Sequence, residues 1–112
     1  MRSIYSIIKK AKKYLIRNDV IAIPTETVYG LAGNAYSTKA VKKIYSIKKR
    51  PFLNPLIVHY AKLEDLKNDC FINDNFKKLY KKFCPGPLTF ILKKKNNSKL
   101  SKYVNLNKET VA

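Results

Sequence analysis

The chain has 112 residues and a formal net charge of +17, from 24 lysines and arginines against 7 aspartates and glutamates. This length allows one domain or part of one, and no apolar run of about 18 residues is present, which excludes a membrane-spanning helix. The N-terminal residues also lack the apolar segment of a secretory signal, so we expect a cytoplasmic location and no membrane partner.

The positive charge predicts attraction to anions, with RNA as one candidate partner. Only Arg2, Arg17 and Arg50 are arginines, however, and the other basic residues are all lysines. A composition rich in Lys, Asn and Ile is also typical of genes that are poor in G and C. The charge by itself therefore leaves RNA binding open.

The first half of the chain predicts two helices and a strand. Residues 3–17 carry one apolar stripe with lysines opposite, the pattern of an amphipathic helix. Residues 20–23 are a β-branched run that predicts a buried strand. Ser37 or Thr38 can cap a second helix, which we expect to end over residues 48–50.

The second half continues the alternation of helices and strands. The first predicted element is a buried strand over 56–58, with His59 at its C-terminal end. It is followed by a short helix over 63–67, a longer helix over 73–83 and a strand over 88–92. A turn at 96–98 and a final strand over 110–112 complete the order. This alternation predicts an α/β fold with a twisted open mixed sheet flanked by helices. Ligands bind beyond the carboxyl ends of strands in such sheets, so we expect residues 25–29 and His59 to face one crevice.

Glycine and proline are concentrated in three segments of this glycine-poor chain. All 3 glycines and all 5 prolines fall within IPTETVYGLAG, KKRPFLNPLIVH and CPGPLTFIL. We expect these glycines to adopt positive φ or to allow close approach of a ligand. The three segments are therefore the candidate functional regions.

The first segment combines the hydroxyls of Thr25, Thr27 and Tyr29 with the carboxylate of Glu26. Such groups suit a small polar ligand, for example an amino acid. The alternative is structural, because Thr and Tyr favour strands and glycines favour turns. The third segment, PGPLTF, predicts a tight turn.

The second segment places Lys48, Arg50 and Asn54 close together in the sequence. An arginine fork and a lysine ammonium can hold phosphate through charge-assisted hydrogen bonds. The alternative is a set of solvated lysines at a helix C-terminus. His59 is the only histidine, and both a structural and a functional role remain open for it. No Walker-type glycine loop, pair of catalytic carboxylates or Cys–His dyad is present, and we predict no metal site made by the protein.

The three segments, in this order, resemble the threonylcarbamoyl-AMP synthase family, also called the YrdC/Sua5 family. The resemblance rests on PTETVYGL, KKRPFLNPLIVH and PGPLT. It implies a YrdC-like domain over residues 1–112. It also implies a nucleotidyltransferase that joins L-threonine, bicarbonate and ATP into threonylcarbamoyl-AMP with release of pyrophosphate. That product feeds the t6A37 modification of tRNA, so t6A-transfer proteins are expected downstream.

The resemblance also implies roles for individual residues. Those expected to contact L-threonine are Thr27, Tyr29 and His59. Those expected to hold ATP phosphates or bicarbonate are Lys48, Arg50 and Asn54, and Thr110 is expected to contact the nucleotide. Mg²⁺ would be held by the phosphates of ATP.

The chain departs from the family pattern at its end, where the family continues with an arginine and a Ser-x-Asn loop. We therefore expect a C-terminally truncated domain with weak or no activity alone. Three alternatives remain: a basic module that binds double-stranded RNA without catalysis, a non-functional gene fragment, and a carbamoyl-transferring domain of a hydrogenase-maturation protein.

Overall fold

The computed structural model describes residues 3–106 and 108–112, which form two compact units, Met1–Phe52 and Leu53–Ala112. The helices are α1 (Ile4–Ile16), α2 (Thr38–Lys48), α3 (Leu63–Asp69) and α4 (Asp74–Phe83), with a 3₁₀ turn at Lys102–Val104. The strands are β1 (Ile21–Ile23), β2 (Gly30–Ala32), β3 (Leu92–Lys93) and β4 (Thr110–Val111). The order of these elements confirms the α/β class. Among the described residues, no helix is long and apolar enough to cross a membrane.

Three of the helices begin at side-chain caps, among them the cap that the sequence predicted at Ser37 or Thr38. Ser3 accepts a hydrogen bond from the Ser6 amide, Ser37 accepts from Ala40, and Asn73 accepts from Phe76. Each cap satisfies an amide that has no partner within its own helix. The choice between Ser37 and Thr38 is thereby decided in favour of Ser37.

The first unit contains an antiparallel hairpin of β1 and β2, with Ile21 opposite Ala32 and Ile23 opposite Gly30. The strand predicted over 20–23 is confirmed, but it is only half-buried. The sequence analysis missed β2, because Gly-Leu-Ala has no strand pattern of its own. Its extended conformation comes from pairing with β1, a contact that local sequence does not encode.

Helix α2 supplies the core of the first unit. Its buried face consists of Ala40, Val41, Ile44 and Tyr45, and the Tyr45 ring lies 4.8 Å from that of Phe52. A Cβ on Gly33 would lie 3.3 Å from the Cβ of Ala40, so the absence of a side chain lets the chain pass close to the helix.

The glycines do not adopt positive φ, so the first of the two roles expected of them is wrong. The described residues with positive φ are Asn18, Lys49 and Leu106. Gly33 serves close packing on α2, while a Cβ on Gly86 would collide with the carbonyl oxygen of Phe83. At Gly33 and Gly86 the atoms that approach closely thus belong to the protein itself.

Two predicted strands of the second unit are shorter than expected or absent. Residues 56–58 form no strand, although Leu56 and Val58 donate single backbone hydrogen bonds to Val104 and Ala112 at 2.9 and 3.0 Å. The strand predicted over 88–92 is reduced to β3, because its partner β4 is equally short. Both described sheets are antiparallel pairs rather than parts of one continuous mixed sheet.

The core of the second unit is built around one aromatic side chain and a few aliphatic ones. The Phe76 ring lies 4.7 Å from that of Phe90 and 5.7 Å from that of Tyr80. Leu100, Val104 and Val111 are buried as well. Within α4, Phe76 is the buried residue.

We expect Ile44→Ala to lower the free energy of unfolding by about 2–5 kcal/mol, because Ile44 is buried in the face of α2 and its truncation leaves a cavity. Ile47→Ala on the exposed side of the same helix is the control, with an expected change within about 0.5 kcal/mol. Urea unfolding followed by circular dichroism measures both. Equal losses would contradict the assignment of the buried face.

Candidate functional site

The loop between β1 and β2 is organised by the hydroxyl of Thr25. Its Oγ1 accepts hydrogen bonds from the amides of Thr27 and Val28 at 3.4 and 3.2 Å and donates to the carbonyl oxygen of Val28. A threonine hydroxyl that bonds nearby backbone groups is a common way to close a tight turn. Thr25 therefore shapes the loop, and its hydroxyl is engaged within the chain.

Two predicted threonine contacts, Thr27 and Tyr29, lie in this loop. The hydroxyl of Thr27 is 3.5 Å from that of Thr25 and its side chain is exposed. Tyr29 is 75% exposed, immediately before β2. The side chains of Thr27 and Tyr29 are thus exposed to solvent, and the hydrogen bonds of Thr25 hold the backbone of the loop.

The C-terminus of α2 carries Lys48 and Arg50. Lys49 adopts φ 51° and ψ 38°, the left-handed conformation that ends many helices. The amide of Arg50 then donates to the carbonyl oxygen of Tyr45 at 3.0 Å. This hydrogen bond holds the backbone of Arg50 against the last turn, with Lys48 exposed and Arg50 half-buried.

At the C-terminus of α2, attraction of an anion depends on the charges of side chains. A helix C-terminus carries a partial negative charge, which opposes a phosphate. An anion there must be held by the ammonium of Lys48 and the guanidinium of Arg50. Burial raises the pKa of the neighbouring Tyr45 phenol, and the positive charge of Arg50 acts in the opposite direction. Tyr45 therefore stays a neutral hydroxyl beside Arg50.

In the second unit, His59 is exposed and follows Val58, whose amide is bonded to Ala112. The next residue, Tyr60, donates from its hydroxyl to the carboxylate of Asp69 at 2.7 Å. These two contacts, one on each side, hold the backbone at His59.

Asp69 is a buried carboxylate that the sequence analysis did not identify. Besides Tyr60, it accepts a hydrogen bond from the Ser98 hydroxyl at 2.7 Å. Hydroxyl donors make a buried carboxylate tolerable. The pKa of the adjacent Cys70 thiol is raised by burial and, secondarily, by the charge of Asp69, so the thiol stays protonated. We interpret Asp69 as a structural residue that positions the His59 segment.

Asn54 and Thr110 complete the predicted site residues, and both are exposed in the second unit. Thr110 lies on β4, and its carbonyl oxygen accepts a hydrogen bond from Nδ2 of the buried Asn105 at 2.7 Å. Nδ2 of Asn105 also donates to the carbonyl oxygen of Lys108 at 3.0 Å. Asn105 thus shapes the chain that leads into β4. The sequence signal for this role was an asparagine ahead of a short strand. Asparagine is common in loops, so the signal was not distinctive.

Apart from Asn54, the predicted residues form three local groups. The loop of the first unit carries Thr27 and Tyr29, and the end of α2 carries Lys48 and Arg50. In the second unit His59 and Thr110 lie on chain segments joined by the hydrogen bond between Val58 and Ala112.

Replacing Thr25 with Val removes the hydroxyl but keeps the shape, so we expect the amides of Thr27 and Val28 to exchange with solvent about fivefold faster. Thr25→Ser retains the hydroxyl and is the matched control, with exchange close to that of the original chain. Hydrogen exchange followed by NMR measures the rates. The same rates in the Val and Ser variants would disprove this role for Thr25.

Comparison with known proteins places this chain among described relatives. Residues 13–112 match the Sua5/YciO/YrdC family, which is described as "Telomere recombination". A threonylcarbamoyl-AMP synthase from Bacillus subtilis (strain 168) is 51% identical over 108 residues, which cover 94% of this chain and 30% of the relative. The chain thus spans about a third of the length of that protein.

Solved structures agree with this match. The crystal structure of Pyrococcus abyssi Sua5 complexed with L-threonine matches 99% of this chain and 32% of its own, with 38% identity and a TM-score of 0.89. Full-length HypF in its phosphate- and nucleotide-bound form matches 93% of this chain and 16% of its own, with 27% identity and a TM-score of 0.79. The chain therefore belongs to the Sua5/YciO/YrdC family.

Proposed function

We propose that this protein acts in the synthesis of L-threonylcarbamoyl-AMP from L-threonine, bicarbonate and ATP, with release of pyrophosphate. The observation that carries the proposal is the 51% identity to a threonylcarbamoyl-AMP synthase along nearly the whole of this chain. The product would serve the t6A37 modification of tRNA in the cytoplasm and would be used by t6A-transfer proteins.

The amino-acid substrate is assigned to Thr27, Tyr29 and His59. A hydroxyl, a phenol and an imidazole suit the polar groups of threonine. The internal hydrogen bonds of Thr25 support this assignment, because a preorganised loop loses little entropy when it binds a ligand. The L-threonine complex of the Pyrococcus abyssi relative gives further support.

The phosphates of ATP, or bicarbonate, are assigned to Lys48, Arg50 and Asn54, and a nucleotide contact to Thr110. The support is the backbone of Arg50, which is held by the carbonyl oxygen of Tyr45. A held backbone lowers the entropic cost of presenting the paired donors of an arginine side chain to a phosphate. The nucleotide-bound form of HypF supports a nucleotide as the ligand.

The reaction needs positioning and charge stabilisation more than a reactive side chain. The threonine amine attacks the carbon of bicarbonate, and loss of water leaves a carbamate. A carbamate oxygen then attacks the α-phosphorus of ATP, and pyrophosphate leaves. Lys48 and Arg50 would stabilise the charge that develops on the phosphates, which would themselves hold Mg²⁺. No side chain of this protein becomes covalently attached.

The test combines ATP binding with the products of the reaction. Arg50→Ala is expected to weaken ATP binding about tenfold to a hundredfold, because each charge-assisted hydrogen bond contributes about 1.5–3 kcal/mol. Calorimetry measures the affinity. Any release of pyrophosphate from ATP by the 112-residue chain is expected to require both threonine and bicarbonate.

Arg17→Ala is the control, because Arg17 is also an arginine at the C-terminal end of a helix but lies outside the proposed site. We expect it to bind ATP like the original chain. Equal weakening by both substitutions would indicate a general charge effect and contradict the assignment. Pyrophosphate release without threonine would contradict the reaction.

The net charge of +17 favours a second candidate function, binding of double-stranded RNA. Its affinity is expected to fall steeply with salt and to be unchanged within about twofold in Arg50→Ala, because one charge among many contributes little. Fluorescence anisotropy with an RNA duplex at several salt concentrations measures this. Affinity that is independent of salt would rule the candidate out.

A further inference from the structure

The second unit contains a cleft that the proposed reaction does not use. Its volume is about 340 Å³, and none of the residues assigned to threonine, bicarbonate or ATP lines it. Three lysines and three largely apolar residues form its walls: Lys67, Lys77, Lys95, Cys70, Phe71 and Ile72. We call it the Phe71 cleft.

Backbone hydrogen bonds hold the side of the Phe71 cleft that carries Phe71 and Lys95. The Phe71 amide donates to the carbonyl oxygen of Lys93 at 2.9 Å, and the Lys95 amide donates to that of Asp69 at 2.7 Å. An isolated antiparallel bridge lies between these two bonds. The end of α3 is thus paired with the segment that follows β3, and the two side chains are kept together without a ligand.

The Phe71 cleft combines an accessible aromatic ring with positive charge. Phe71 is 54% exposed, and Nζ of Lys95 lies 5.6 Å from the centroid of its ring. Lys67 and Lys77 are exposed, and Lys95 is half-buried. Within residues 3–106 and 108–112, none of these three lysines forms an ion pair with a carboxylate. Their charges are therefore available to an anionic ligand.

This combination matches the chemistry of a single-stranded nucleic acid. Lysines bind its phosphates, and any unpaired base can stack on an aromatic ring. In a duplex the bases stack on one another, so they cannot reach Phe71. A bilayer surface is flat and does not enter a cleft. Lys81 lies one turn after Lys77 on α4 and is also exposed, so the positive charge continues beyond the cleft and favours a ligand longer than one nucleotide.

We propose that the Phe71 cleft binds an unpaired segment of RNA. One base stacks on the ring of Phe71, and the adjacent phosphates are held by Lys67, Lys77 and Lys95. The choice of RNA as the nucleic acid rests on the proposed function, whose product serves the modification of tRNA. This binding differs from attraction of double-stranded RNA by net charge, because it requires an unpaired base.

The first test removes the aromatic ring. Fluorescence anisotropy measures the affinity of the 112-residue chain for an oligouridylate of about 12 nucleotides, alone or paired with the complementary oligoadenylate. Phe71→Ala is expected to weaken binding of the single strand about fivefold to a hundredfold and to change binding of the duplex less than about twofold. Phe71→Tyr keeps the ring and should retain the affinity. Tyr5→Ala removes an exposed ring from the first unit and is the control, with the affinity of the original chain.

The second test removes one charge. Lys95→Ala is expected to reduce the slope of log affinity against log salt concentration for the single strand by about 0.7, the value of one phosphate contact. Lys39→Ala, which removes the charge of an exposed lysine on α2, is the matched control and should leave the slope unchanged. Circular dichroism checks the fold of every variant, and Lys95→Ala alone decides the matter if Phe71→Ala does not fold.

Equal weakening of single-strand and duplex binding by Phe71→Ala would overturn the proposal, as would a Tyr5→Ala variant that loses as much affinity. Displacement of the RNA by polyglutamate or by vesicles of anionic lipid as efficiently as by unlabelled oligouridylate would also overturn it, in favour of an acidic peptide or a membrane. None of these measurements involves ATP or threonine. Failure of the pyrophosphate assay would therefore bear only on the proposed reaction, and failure of RNA binding only on the Phe71 cleft.

Discussion

The left-handed end of α2 is the constraint on which the proposed phosphate site depends. Lys49 leaves the helical conformation, and the Arg50 amide returns to the carbonyl oxygen of Tyr45. Because Tyr45 is buried in the core and lies against Phe52, this turn is connected to the buried face of α2. The position of the arginine is therefore a consequence of core packing. A phosphate site at a helix C-terminus requires such support, since the helix dipole opposes the ligand.

Short polar contacts, rather than long strands, hold the remaining candidate residues. Thr25 closes the loop that carries Thr27, Asp69 anchors Tyr60 beside His59, and Asn105 bonds the backbone that leads to Thr110. None of these three supporting residues is assigned to a substrate. Each one fixes the backbone next to a residue that is. Mutations at these three supporting positions can thus alter binding without removing any contact to a ligand.

The molecule combines a modest core with a large amount of exposed apolar surface and a high positive charge. Both features oppose stability in isolation, because uncovered isoleucines lose the benefit of burial and like charges repel. The positive charge also favours attraction to anions.

The sequence by itself determined the helices, their caps, the α/β class and the family. Ser3, Ser37 and Asn73 act on amides within the same turn, so their effect is visible locally. Family membership was equally accessible, because it rests on three motifs in a fixed order. Apart from Thr110, the candidate site residues lie in those motifs, and the structure gives their local placement.

Only the tertiary structure decided the pairing of the strands and the supporting contacts. The pairing of β1 with β2, the short β3 and the backbone hydrogen bonds of residues 56–58 depend on partner segments elsewhere in the chain, which the pattern of one segment does not record. The same holds for the burial of Asp69 and the close approach of Gly33 to α2. Hydrogen bonds and packing between separate segments determine these features. The residue pattern of a single segment does not record such contacts.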